Sequence, residues 1–161
     1  VMELNGEVIV LDEGKVLQVG PAKEIFENPK NLKVAEISND PPMNILSGSK
    51  NNENLSFENI SLKIPDHLHK LENNNFNFGI RASEIKLDEN GDEFEIELAE
   101  ISGSETLLHL KRGNSKVIVL IEEVLNFKIH EKVKISFNTT KFYAFDQIGN
   151  LVSSPYGEYN G

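Results

Sequence analysis

Apolar and polar positions follow two different rhythms along this chain. At the front, Val8, Ile9, Val10 and Leu11 form a short apolar run, Asp12-Glu13-Gly14 a polar turn, and Lys15 to Val19 a returning run. Together they predict a β-hairpin. Pro21 stands where a helix favours its first residue, and Ala22 to Asn28 predict a short helix closed by Pro29, with Ile25 and Phe26 buried. Asn31 to Ser38 predict a second helix with Leu32, Val34, Ala35 and Ile37 inward. Pro41-Pro42 then force extended backbone. The following "SGSKNNENLSFEN" has the composition of a linker or long loop, and a domain boundary is placed near Asp40. One turn is expected at Asp66 to Leu71.

Beyond that stretch the period becomes two. In "EFEIELAEI", Phe94, Ile96 and Leu98 face one way and Glu93, Glu95 and Glu97 the other. Asn90-Gly91 reads as a turn joining this strand to one around Ile85 to Leu87. "TLLHL" follows, then Gly113-Asn114 as another turn, then "KVIVLI", apolar on both faces and so expected to be a central strand. "KVKISF" alternates again, and "KFYAF" closes the set. Short strands at even spacing indicate an all-β barrel or sandwich. Its expected core comprises Phe94, Ile96, Leu98, Leu108, Leu110, Val117, Val119, Ile121, Val133, Ile135 and Phe137.

Composition narrows the function classes. A chain of 161 residues with 39% apolar and 26% charged residues is ordinary for a soluble globular protein. No apolar run approaches the roughly 18 residues of a spanning helix, and no secretion signal leads the chain. With no cysteine, disulfides and thiolate metal sites are excluded, which fits a reducing compartment. The formal net charge of −10 argues against a nucleic-acid partner, whose phosphates require clustered Lys and Arg. A single-strand nucleic-acid barrel would also need aromatics stacked in a basic groove, whereas the three Tyr and nine Phe sit mostly at apolar strand positions.

No catalytic constellation emerges. The phosphate-loop pattern is absent, because Gly14-Lys15 is followed by Val16 and has no upstream glycine at the right spacing. His67 and His69 lack a nearby third ligand, so they read as surface residues rather than a metal site. No Gly-x-Ser-x-Gly elbow supports a nucleophile. Glu93, Glu95 and Glu97 read as a solvated strand face. The catalytic, cofactor and metal assignments are therefore none.

"VIVLDEGKVLQVGPAKEIFENP", "NLKVAEISNDPPMN", "GIRASEIKL", "ISGSETLLHL" and "FYAFDQIGN" occur in a shared order. In that order they resemble the C-terminal part of the ATP-binding subunits of ABC importers for carbohydrates, the maltose and glycerol-phosphate group with a TOBE regulatory domain. The likeness covers nearly the whole chain apart from Ser47 to Asn75. It departs from the family at Gly6-Glu7, where an Asp-Arg or Asp-Lys pair is usual, and at Ile37-Ser38-Asn39, where Phe-Ile-Gly is usual. Leu46-Ser47-Gly48-Ser49 is only a decoy for the family's signature, since no helix N-terminus follows it.

The resemblance implies a mainly β fold: an OB-type (TOBE) barrel over 41–161, preceded over 1–40 by the final hairpin and two short helices of a P-loop ATPase domain. It implies a fragment that is not itself an enzyme and holds no cofactor, its parent being an ATP-hydrolysing transporter subunit that uses ATP and Mg²⁺. Implied partners are a second ATPase subunit, the transmembrane permease subunits and a regulatory protein, with no nucleic acid. The implied location is cytoplasmic, peripheral to the inner face of the membrane. The alternative is a small-molecule or oxyanion-binding TOBE module, for which no converging Ser, Arg and Lys cluster is found. Candidate interface or regulatory residues are Arg81 and Glu84 in "GIRASE", and Gly103, Ser104, Glu105 and Thr106 in "GSET". Arg81 is one of two arginines and suits bidentate pairing. Each loop also has a plain structural reading, as a surface ion pair and a strand-to-strand turn. The "GSET" side chains are expected to point away from the core.

Overall fold

The computed structural model describes residues 1–160. Three antiparallel strands come first: β1 (Met2–Leu4), β2 (Glu7–Asp12) and β3 (Lys15–Pro21), in the order β1-β2-β3. The predicted hairpin is β2–β3. Two helices follow, α1 (Ala22–Glu27) and α2 (Leu32–Ile37). The Asn31 side chain caps α2 by accepting from the Val34 N–H at 3.0 Å, supplying one of the orphan donors of a helix start. Val10, Ile25 and Val34 close a small core beneath these helices. Phe26, expected inside, is instead 45% exposed. A helix of six residues has room for one buried stripe, and Ile25 occupies it.

The remaining strands are β4 (Asn44–Asn51), β5 (Asn54–Phe57), β6 (Ile60–Lys63), β7 (Asn74–Ile80), β8 (Ile85–Ser102), β9 (Glu105–Arg112), β10 (Ser115–Ile121), β11 (Lys132–Phe137), β12 (Tyr143–Phe145) and β13 (Leu151–Ser153). They form two open antiparallel sheets, β10-β9-β8-β11 and β13-β12-β7-β4-β5-β6. The two sheets share one core, with Leu46, Leu55, Phe57 and Phe78 from one and Phe94, Ile96, Leu108, Val119 and Ile135 from the other. Phe137 is its hub, edge-on to Phe57 at 5.3 Å and 6.1 Å from Phe142. Met43, Tyr143 and Phe145 take Ala35 of α2 onto the outer face of the six-stranded sheet.

Four expectations are corrected. The stretch read as a linker is sheet, for β4, β5 and β6 lie in it. Leu46, Leu55, Phe57 and Ile60 are the buried positions there, and Ser, Asn and Gly between them dilute the apolar signal. Its Asn and Glu residues make turns, with Asn52, Glu58 and Asn59 at positive φ. Asn90-Gly91 is not a turn either, because β8 runs unbroken through it. The pairing with β11 jumps from Glu93–Lys134 to Leu87–Ile135, so residues 88–92 form a wide bulge. A Cβ on Gly91 would collide with the Ile135 carbonyl, so the close approach requires glycine. The Asp88 carboxylate accepts from the Asn90 N–H at 2.9 Å, which holds its pKa below the usual range.

Third, Leu98 faces solvent, 43% exposed. A second bulge, between Ile96 and Leu98, inverts the alternation so that Ala99 packs on the core instead. Leu98→Ser is therefore expected to change stability by less than about 0.5 kcal/mol, as for a surface position, measured as the urea midpoint. Fourth, β10 is an edge strand rather than a central one. Its free edge meets the side chain of buried Asn44, whose Oδ1 accepts from Ile118 N at 2.7 Å and whose Nδ2 donates to Ile118 O at 2.9 Å. Of the remaining expected core, Ile121 and Val133 pack on its margin, half-buried. Among the described residues no helix is long and apolar enough to cross a membrane.

Candidate functional site

The helical front meets the large sheets at a seam built around Arg81, which follows β7 directly. Its Nε donates to Asn39 Oδ1 at 2.8 Å, one terminal nitrogen to Tyr143 Oη at 2.7 Å, and the other to the Phe26 carbonyl at 2.8 Å. The guanidinium carbon lies 3.7 Å from the centre of the Phe26 ring and 5.1 Å from that of Tyr143. A planar fork with donors in fixed directions can serve three partners and stack at once; an ammonium cannot. The exposed Phe26 is thus the floor on which Arg81 rests.

The end of α1 explains why these partners gather. The last carbonyls of a helix have no acceptor role inside it and must be met from outside. Here the Phe26 carbonyl accepts from Arg81 and from the Tyr143 hydroxyl at 2.8 Å, Glu27 O accepts from Ser154 Oγ at 2.5 Å, and Asn28 O accepts from Gln18 Nε2 at 3.1 Å. Asn39 in turn donates through Nδ2 to Ala35 O at the end of α2. Backbone bonds extend the stitching, from Leu32 N to Gly149 O at 2.9 Å and from Leu151 N to Lys30 O at 3.1 Å. Tyr156 completes the aromatic wall, 5.7 Å from Phe26 and 6.3 Å from Tyr143.

Burial pushes the Tyr143 hydroxyl up to about 12, against a smaller opposing pull from Arg81. A folded pKa raised above an unfolded value near 10 stabilises fully below pH 10, and that contribution is lost as pH rises through 12. Up to about 2–3 kcal/mol is therefore expected to disappear between pH 10 and 12. Tyr143→Phe should be less stable than wild type at neutral pH and show a shallower alkaline decline. Parallel urea titrations at each pH measure this.

The other candidates lie elsewhere. Glu84 ends a 3-10 turn beside a small polar pocket shared with Lys86, Asp88 and Asn138, and Asn138 Nδ2 donates to its Oε1 at 3.3 Å. Gly103 and Ser104 form the tip of the β8–β9 hairpin, where Gly103 takes φ +59 with open space around it. Glu105 is exposed beside them. Thr106 departs from the outward expectation: it is fully buried. Its hydroxyl donates to Glu123 O at 2.7 Å and accepts from Leu125 N at 3.0 Å, tying down the segment after β10. Among the described residues no hydrogen bond joins this hairpin to the Arg81 cluster. The histidines also stand apart: His67 Nε2 meets Phe142 O, His109 pairs with Glu100, and His130 with Glu95.

No family model matches the chain. It is 28% identical over 158 residues to YcjV, an ABC transporter ATP-binding protein of Escherichia coli O6:K15:H31, covering 90% of this chain and 43% of that one. It is 26% identical over 149 residues to y4oS, an ABC transporter ATP-binding protein of Sinorhizobium fredii, covering 90% and 40%. It is 32% identical over 124 residues to the sn-glycerol-3-phosphate import ATP-binding protein UgpC of Escherichia coli O1:K1, covering 73% and 35%. The homologues are ABC transporter ATP-binding proteins. The chain spans less than half the length of these ABC relatives.

Of the Arg81 cluster, sequence reasoning singled out only Arg81. Phe26, Asn39, Tyr143, Ser154 and Tyr156 carry no local motif. Phe26 and Tyr143 sit 55 and 62 residues from Arg81 along the chain. Only the unmatched carbonyls implied by a helix ending at Pro29 hint that outside donors are needed there.

Proposed function

We propose that this chain is the regulatory part of the ATPase subunit of an ABC importer for sugars or related solutes. In this reading residues 1–40 are the C-terminal tail of the nucleotide-binding domain, and residues 41–161 are an OB-type TOBE domain. The names of the relatives support the ATPase assignment, and "import" in the name of UgpC supports the direction of transport. The observation that carries the mechanism is the Arg81 seam, in which Arg81 and Tyr143 meet the Phe26 carbonyl at the end of α1 and Arg81 also holds Asn39, whose side chain meets the end of α2.

A seam of this kind makes the helical tail and the sheets move as one body. Opening and closing of the nucleotide domains is then passed to the regulatory domain rather than absorbed at the joint. Arg81 positions the two parts, and the exposed Gly103, Ser104 and Glu105 at the hairpin tip, with Glu84, offer surface to a neighbouring subunit or regulatory protein. ATP and Mg²⁺ act in the upstream domain of the parent. Phosphoryl transfer needs a phosphate cradle and metal ligands, and this chain has no phosphate-loop sequence. The parent works as a pair of ATPase subunits with membrane-embedded permeases, on the cytoplasmic side.

The test is made in the full-length parent with Arg81→Ala and Glu105→Ala, measuring substrate-stimulated ATPase activity and transport. Arg81→Ala is expected to lower transport per ATP hydrolysed, and Glu105→Ala to weaken subunit or regulator contact without lowering the melting temperature. Wild-type transport and ATPase by both variants would remove the coupling role. ATP turnover above background by this chain alone would overturn the domain assignment.

A further inference from the structure

The outer face of the six-stranded sheet carries a groove of about 550 Å³. Ser47, Ser49, Ser56, Asn75, Asn77 and Gln147 line it, together with Gly48 and Phe76. Phe76 packs against the main core and so belongs to the floor. The strand register arranges the polar side chains in rows. Asn75 on β7 stands opposite Ser49 on β4, which stands opposite Ser56 on β5, and Asn77 stands opposite Ser47. Neighbouring rows of hydroxyl and amide groups are therefore set by the strand spacing of about 4.8 Å.

Part of this array is already engaged. Ser47 Oγ donates to Asn77 Oδ1 at 3.3 Å, Asn77 Nδ2 donates to Asp146 O at 3.2 Å, and Asn51 Nδ2 reaches Ser49 Oγ at 3.4 Å. The Ser56 hydroxyl and the side-chain amides of Asn75 and Gln147 make no hydrogen bond among the described residues. They offer both donors and acceptors to a ligand.

Charge selects the ligand class. None of the lining residues is ionisable, although 26% of the chain is charged. A phosphate or carboxylate would find no cation in the groove and would approach a chain of net charge −10. A lipid or drug-like apolar molecule would find Phe76 as the single apolar side chain among hydroxyls and amides. A neutral molecule dense in hydroxyls, each donating and accepting, matches the lining. Most of the groove comes from the stretch Ser47 to Asn75.

We propose that this groove is a binding site for a neutral saccharide or polyol. The proposal stands on the groove's chemistry and is independent of the transporter reading. The experiment is an amide NMR titration of the whole chain with glucose, maltose and sorbitol, with glucose 6-phosphate as the charged counterpart of the first. Saturable shifts are expected at the side-chain amides of Asn75, Asn77 and Gln147 and at the backbone of Ser47, Ser49 and Ser56. The doubly charged variant Asn75→Asp with Asn77→Asp should weaken binding at least tenfold. If that variant unfolds, Gln147→Ala, in an exposed turn, replaces it and should weaken binding severalfold at unchanged melting temperature. Absence of saturable shifts with every neutral probe, shifts confined to other faces, or tighter binding of glucose 6-phosphate than of glucose would each overturn the proposal.

Discussion

Phe78→Ala is expected to remove about 3–5 kcal/mol, a large part of the stability of a typical domain. Phe78 lies in the middle of β7 with no exposed surface. Its ring meets Phe76 at 6.0 Å and Phe142 at 6.2 Å. Truncation loses the transfer energy of the ring and leaves a cavity that two hydrogen-bonded sheets cannot close. β7 is also the strand through which β4 and β12 are joined, so no neighbour can shift inward without breaking a ladder. Urea denaturation should show a lower midpoint at an unchanged slope. A loss below about 1 kcal/mol would mean that the core tolerates the void and that the two sheets are not rigidly apposed.

Arg81→Ala is expected to cost about 2–3 kcal/mol and to lower the melting temperature by several degrees. The change strips a charged donor from the Phe26 carbonyl, from Asn39 and from the Tyr143 hydroxyl, and leaves the Phe26 ring without its stacked cation. The Phe26 carbonyl keeps Tyr143 as donor, which limits the penalty. Arg81→Lys should recover less than half, because one ammonium cannot reach three partners lying in different directions. The loss should be local as well as global. Trypsin cleavage after Lys30 and Lys33 should accelerate more than the fall in overall stability accounts for, since those residues lie in the stitched segment. Equal acceleration at all sites would place Arg81 in general packing instead.

Legibility in the sequence followed the strength of the local pattern. The hairpin β2–β3, the two short helices and the Gly113-Asn114 turn were readable because each rests on neighbours in the chain: Gly after a polar turn, Pro21 and Pro29 bracketing the first helix, and the inward spacing of Leu32, Val34 and Ala35 in the second. The inward face of β11 followed from alternation, and Leu108, Leu110, Val117 and Val119 of β9 and β10 lie in the core as expected, whereas Thr106 on the same face of β9 was not foreseen. What failed was alternation interrupted by bulges, at Leu98 and at residues 88–92, because an inserted residue leaves no compositional trace. Strands β4 to β6 failed because Ser and Asn occupy their outward positions, and those residues also signal loops. The Arg81 cluster was half visible. A scarce arginine can be noticed, but the carbonyl it serves is defined by where a helix stops and by which strand passes that point.

Asn44 gives the fold a safeguard against polymerisation. An edge strand such as β10, apolar along much of its length, presents outward amides and carbonyls that any extended segment of another molecule can recruit. The Asn44 side chain is itself an amide, and it occupies both main-chain groups of Ile118, midway along that edge. An incoming strand would have to evict a covalently attached competitor before it could zip along β10. The protein thus blocks the middle of the β10 edge with one side chain, on a strand against which β4 and the 3-10 turn Ala82–Glu84 also pack.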